Sequence, residues 1–166
     1  MTMRTAWLAA GLAISLIVAN WAIGSREATL RDGRTVLLEL APVDPRSLMQ
    51  GDYMALDFAV AMKARDALDS ATRDRGHGDG YLVLGLDAQN RADLVRVQPG
   101  IRPLAGDELA LRYRLRADRV RIVTNAWFFP EGQAARYEQA RFGELRVGDD
   151  GEALLVTMRD ANLKPL

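Results

Sequence analysis

Gly143-Glu144-Leu145-Arg146-Val147-Gly148-Asp149-Asp150-Gly151-Glu152-Ala153-Leu154-Leu155-Val156-Thr157-Met158 consists of two apolar, partly β-branched runs joined by four turn-forming residues. A segment of this kind folds back on itself as an antiparallel hairpin. The same pattern recurs upstream, where residues 81–86 and 92–97 flank Asp87-Ala88-Gln89-Asn90-Arg91. Residues 109–115, with Arg112, Arg114 and Arg116 alternating outward, precede a partner run at 120–128 and predict a further hairpin. Residues 34–40 follow the Asp32-Gly33 turn and read as a strand, and residues 53–60 resume an extended apolar run. The expected fold is mainly β, a small barrel or sandwich of α+β type with one or two short helices, preceded by a single N-terminal transmembrane helix.

Between these strands the sequence reads less regularly. Residues 42–52 form a connecting segment, because Pro42 and Pro45 remove donors and bias their predecessors to extended backbone. Met62, Leu68 and Ala71 predict a short helix within residues 61–75. Gly76-His77-Gly78-Asp79-Gly80 reads as a loop. Pro130-Glu131-Gly132-Gln133 opens a helix expected to reach about Arg141, with Glu131 in its first turn complementing the dipole. An internal echo also stands out. Residues 38–42 followed by 51–58 resemble residues 95–99 followed by 106–113, each reading strand, proline connection, Gly-Asp turn and a strand ending in an aromatic. Two related strand-loop-strand units are the expectation that follows.

The N-terminus has a different character. Residues 5–25 are 21 consecutive uncharged residues bounded by Arg4 and Arg26. As a helix this run is about 32 Å long, matching a hydrocarbon core of about 30 Å. Trp7 and Trp21 lie near its ends, where indoles favour the headgroup region. Gly11 and Ser15 form a small-xxx-small pair able to sit against another helix. A cleaved signal peptide is the competing reading, with Ala22-Ile23-Gly24 as the small-x-small site. The run exceeds the usual 7–15 residues of such a segment, and bulky Trp21 adjoins the site, so retention is expected. Arg4 favours a cytoplasmic N-terminus, although Arg26, Arg31 and Arg34 lie beyond the span. Residues 1–26 are thus expected to be a bilayer anchor, inserted through residues 5–25. Residues 27–166 would form one domain outside the cytoplasm.

Charge and composition narrow the function. Lys+Arg and Asp+Glu are each 22, and setting aside Arg4 leaves 21 basic against 22 acidic residues. A net charge near −1 gives no overall field for nucleic acid or anionic lipid, so no nucleic-acid partner is expected. The absence of cysteine excludes disulfides, thiolate metal sites, thiol catalysis and a lipidated cysteine. His77 is the lone histidine, and with Asp79 it falls short of the three or four ligands a metal site uses, so neither metal nor cofactor is expected.

Gly51-Asp52-Tyr53-Met54-Ala55-Leu56-Asp57-Phe58 resembles the signature of the GDYXXLXY family of bacterial membrane-anchored proteins, with Phe58 where that pattern has tyrosine. The likeness extends to the N-terminal span, to residues 42–46, and to residues 128–133 through 143–147. The resemblance implies a single-pass protein of the bacterial inner membrane, its C-terminal domain in the periplasm. It also implies a neighbouring polytopic membrane protein, and hence a non-enzymatic accessory or interaction subunit.

The candidate binding residues fall in two groups. Arg46, Asp52 and Tyr53 lie on and beside the connecting segment, where a rigid sheet can present a polar loop. Glu131, Arg136, Tyr137 and Glu144, with Arg141, cluster around the late helix, and a structural ion-pair network competes with a binding role there. A small-ligand-binding module is the alternative reading. A hydrolase is the third. Residues 45–52 are similar to the proline-to-Gly-Asp segment of type I signal peptidases, but Pro42 stands where the nucleophilic serine belongs. That leaves Ser47 with Lys63 as base.

Overall fold

The computed structural model describes residues 3–41, 49–50, 53–68, 72 and 76–166, without the side chains of residues 4–6, 9, 49 and 50. Helix α1 (Met3–Asp32) leads directly into strand β1 (Arg34–Glu39). Then come β2 (Met49–Gln50), β3 (Tyr53–Ala55), helix α2 (Ala59–Ala67), β4 (His77–Leu86), β5 (Arg91–Gln98), β6 (Glu108–Arg116) and β7 (Arg119–Arg121). The chain ends with β8 (Ala126–Phe128), the single-turn helix α3 (Ala134–Tyr137), β9 (Phe142–Val147) and β10 (Ala153–Arg159).

Seven strands form one sheet in the order β10-β9-β1-β5-β4-β6-β7, and β2, β3 and β8 form a second. All pairings are antiparallel except β1 with β5. The large sheet curls into a half-barrel. Its far ends approach each other where the Arg112 backbone N–H donates to the Gly151 carbonyl at 2.8 Å, joining β6 to the β9–β10 turn. Alternation fixes which side chains enter the curl, since successive strand residues face opposite ways. Val36, Leu38, Leu82, Leu84, Leu111, Leu115 and Leu145 are all at most 1 % exposed and share one core. Helix α2 adds Val60, Ala61 and Ala64 to it, touching β1 and β5 on one side and β7 on the other.

Several expectations are corrected. The glycine-rich residues 76–80 are not a loop, because β4 begins at His77 and pairs with β6 from His77↔Arg116 onward. Gly80 lets the two strands close up. A Cβ there would lie 2.9 Å from Tyr113 Cε1 and 3.0 Å from the Gln98 carbonyl oxygen. The apolar run 53–60 is a strand only to Ala55, after which Phe58 bridges Leu40 and α2 begins. The run 120–128 splits between sheets, with β7 pairing β6 and β8 pairing β3. The helix expected over 130–141 is one turn long and excludes Glu131. The echo joins parallel neighbours β1 and β5 in its first halves, but its second halves enter different sheets, so the two units are not equivalent.

Helix α1 runs past residue 26 to Asp32, and its end is locked to the sheet. Gly33 N donates to Thr29 O at 3.0 Å, and Arg146 Nη1 donates to Gly33 O at 3.1 Å. Among the described residues no helix is long and apolar enough to cross a membrane.

Candidate functional site

The β6–β7 hairpin turns through Ala117 and Asp118, whose φ values of 49° and 60° are those of a two-residue primed turn. That tight turn fixes the register as Arg114↔Arg121 and Arg116↔Arg119. Directly opposed residues of an antiparallel pair share a face, and like charges placed so are destabilising. Arg112 lies two residues before Arg114 and shares its face. Five guanidinium groups therefore line one surface beside an open cleft of about 570 Å³, closed by residues 122–125 and by Leu56, Phe58 and Ala61. This volume is in the range of small-molecule sites.

Counter-charge is incomplete. Arg116 Nη1 meets Asp79 at 2.9 Å, and Arg112 Nη1 meets Glu152 Oε1 at 2.6 Å, which raises the Arg112 pKa above its ordinary value. Arg114 reaches the same Glu152 oxygen only at 3.7 Å. Among the described residues Arg119 and Arg121 make no ion pair. With Asp57 on the rim, five arginines face three carboxylates. The near-neutral balance of the whole chain conceals this segregation. The sequence signal was the alternation of Arg112, Arg114 and Arg116, which reads as an ordinary solvated strand face until β7 is placed opposite it.

A second cleft of about 520 Å³ shares Arg114, Ile122, Val123 and Thr124 with the first and continues to Arg26 on α1. Its other walls are Glu152 and the apolar Trp127, Phe128, Leu154 and Leu155. Phe128 is 75 % exposed, and the Trp127 indole N–H is buried with no acceptor among the described residues. The two clefts adjoin along Arg114 and residues 122–124, the first lined by five arginines and the second carrying most of the apolar side chains, beside α1.

The candidate residues from the sequence are distributed elsewhere. Arg46, Asp52 and Ser47 lie outside the described residues. Tyr53 opens β3 opposite Phe128, with ring centroids 5.8 Å apart. Tyr137 is buried, stacked on Phe129 at 4.9 Å and tilted against Trp127 at 6.2 Å, so it is a core residue. Glu144 is buried and accepts from Arg159 Nε at 2.5 Å, an ion pair between β9 and β10. Glu131 and Arg136 are exposed and, among the described residues, form no ion pair, so Glu131, Arg136, Tyr137 and Glu144 do not converge. Arg141 instead donates to the carbonyls of Glu138 and Ala140. Lys63 Nζ meets Asp93 Oδ1 at 2.6 Å on the exposed side of α2. A lysine serving a serine nucleophile works in a desolvated setting, the opposite of this one. His77 pairs directly across the β4–β6 ladder with Arg116 and shares its face, and no group of three His, Cys, Asp or Glu among the described residues is arranged to hold a metal.

A family model described as GDYXXLXY protein matches residues 15–158. No curated protein and no solved structure matches the chain.

Proposed function

Because the chain belongs to the GDYXXLXY protein family, whose signature resemblance lies at residues 51–58, we propose that it is a single-pass protein of the bacterial inner membrane. On this reading it holds a periplasmic β domain against a polytopic membrane partner as a non-enzymatic subunit. The observation that carries this reading is the bareness of α1. Trp7, Leu8, Leu12, Ile14, Leu16, Ile17, Val18, Trp21 and Ile23 are each 54–77 % exposed. Burying one such side chain is worth about 1.5–3 kcal/mol, so nine left in water would be a heavy penalty that a bilayer or another helix removes.

The polar residues of this stretch fit a hydrocarbon setting. Ser15 Oγ donates to Gly11 O at 2.9 Å and Asn20 Nδ2 to Leu16 O at 2.8 Å, so both satisfy donors inside their own helix. The rigid passage from α1 into β1 through Gly33 suits a domain held at a set height and orientation over a partner. The test is crosslinking and affinity capture of the full-length protein from native membranes. A stoichiometric polytopic protein crosslinked to α1 or to the face around Tyr53 and Phe128 supports the reading. Recovery of the protein alone contradicts the subunit role.

The arginine-lined cleft favours a second reading, a binding module for an anionic ligand, and the two are compatible on one anchored domain.

A further inference from the structure

We propose that the arginine cleft of β6 and β7 holds the phosphate headgroup of an anionic lipid, taken from the bilayer that anchors α1. The inference rests on the membrane reading above and adds a ligand to it.

Electrostatics supplies the first argument. The cross-strand pairs Arg114↔Arg121 and Arg116↔Arg119 set like charges opposite each other, and among the described residues the cleft carries Asp57 and Asp79, with Glu152 beside Arg112 and Arg114, against five arginines. Edge protection explains part of this, because β7 ends the large sheet and charged residues discourage strand addition there. It does not explain the three arginines of β6, which is paired on both sides. A bound anion removes the repulsion, and guanidinium forks match phosphate oxygens two at a time.

Position supplies the second. The basic cleft shares Arg114, Ile122, Val123 and Thr124 with a neighbouring, more apolar cleft that holds Glu152 and reaches Arg26, the first charged residue after residues 5–25. A soluble phosphate needs only the basic end. A lipid uses both clefts, with its phosphate at the arginines and its glycerol and upper acyl region along Trp127, Phe128 and Leu154. Exposed Phe128 suits the headgroup boundary, where aromatic side chains are favoured. The buried Trp127 N–H offers a donor still lacking an acceptor among the described residues.

The experiment places the full-length protein in nanodiscs of mixed phosphatidylcholine and phosphatidylglycerol and reads the lipids retained on it by native mass spectrometry. Phosphatidylglycerol should be enriched on the protein. Arg114→Gln and Arg121→Gln should each cut the enrichment roughly fivefold, the worth of one basic side chain at an anionic surface. Arg136→Gln, equally exposed but outside the clefts, should leave it unchanged. Circular dichroism confirms that the variants fold. Equal retention of both lipids by the wild type, or loss of enrichment in Arg136→Gln as well, overturns the proposal. Binding of inorganic pyrophosphate in detergent, without phosphatidylglycerol enrichment in discs, assigns the site to a soluble phosphate and also overturns it. A protein that does not stay with the discs refutes the anchor itself, a result distinct from the others.

Discussion

At Gly33 a single missing side chain joins helix to sheet. A Cβ there would lie 2.3 Å from the Thr29 carbonyl oxygen and 3.1 Å from that of Val147. Both are backbone atoms that cannot swing aside, so Gly33→Ala should destabilise the domain by about 1–3 kcal/mol, seen as a lower urea midpoint with unchanged slope. Among the described residues Glu144 is the one charged residue that is buried, and its partner Arg159 also donates to the Leu163 carbonyl. Glu144→Ala leaves that guanidinium half-buried and short of an anion, and should cost about 2 kcal/mol in the same measurement. Sequence placed Glu144 in the first strand of the last hairpin, where it lies, but also in a polar cluster around the late helix, and that cluster does not form. Residues 130–141 hold Pro130 and Gly132 near the start and bury only Tyr137 and Ala140, too little apolar face to stabilise more than one turn.

The hairpins carry the fold at the next scale, and they were the most legible elements. Residues 143–158 form β9–β10 within a residue of expectation, and β4–β5 matches 81–97 to a residue except that β4 begins four residues earlier, because turn chemistry and alternation agree there. The Asp87 carboxylate accepts from Gln89 N at 2.8 Å and Arg91 N at 2.9 Å, the local bonding that lets an Asp begin a turn. Misreadings arose where a distant partner decided the outcome. Residues 77–80 are a strand because β6 offers them a ladder, and residues 126–128 leave β7 because β3 pairs them instead. The β6–β7 turn places Ala117 at a φ of 49°, where an alanine costs roughly 1 kcal/mol and glycine nothing. Ala117→Gly should raise the melting temperature by a few degrees. Ion pairs between elements give a pH dependence. The Arg96 guanidinium holds the Glu108 carboxyl below its ordinary range, and Lys63 does the same for Asp93. A depressed carboxyl pKa contributes stability above the unfolded value and loses it as pH falls through the folded one. The melting temperature should therefore be level near neutrality and drop below about pH 4, with a smaller drop in Arg96→Gln.

The whole molecule is a half-barrel fixed to a long helix whose apolar side chains are exposed, with two adjoining clefts, one lined by arginines, beside the junction. The arginine-lined cleft was not legible in the composition, since a balance of 22 against 22 says nothing of where charges gather. It required the register of β6 with β7 and the return of the β9–β10 turn to Arg112. The N-terminal helix was the reverse case, since the one uncharged run of residues 5–25 lies within α1, and its service as an anchor is the proposal made above. Absence of cysteine makes its topology directly measurable. Asp149→Cys puts one thiol at the exposed tip of the β9–β10 hairpin, and Thr2→Cys puts one before the span. In intact spheroplasts treated with a membrane-impermeant maleimide, Asp149→Cys should be labelled at once and Thr2→Cys only after lysis, both proteins sedimenting with the membranes. Labelling of Asp149→Cys only after lysis, or recovery of the protein in the soluble fraction, would contradict the proposed topology.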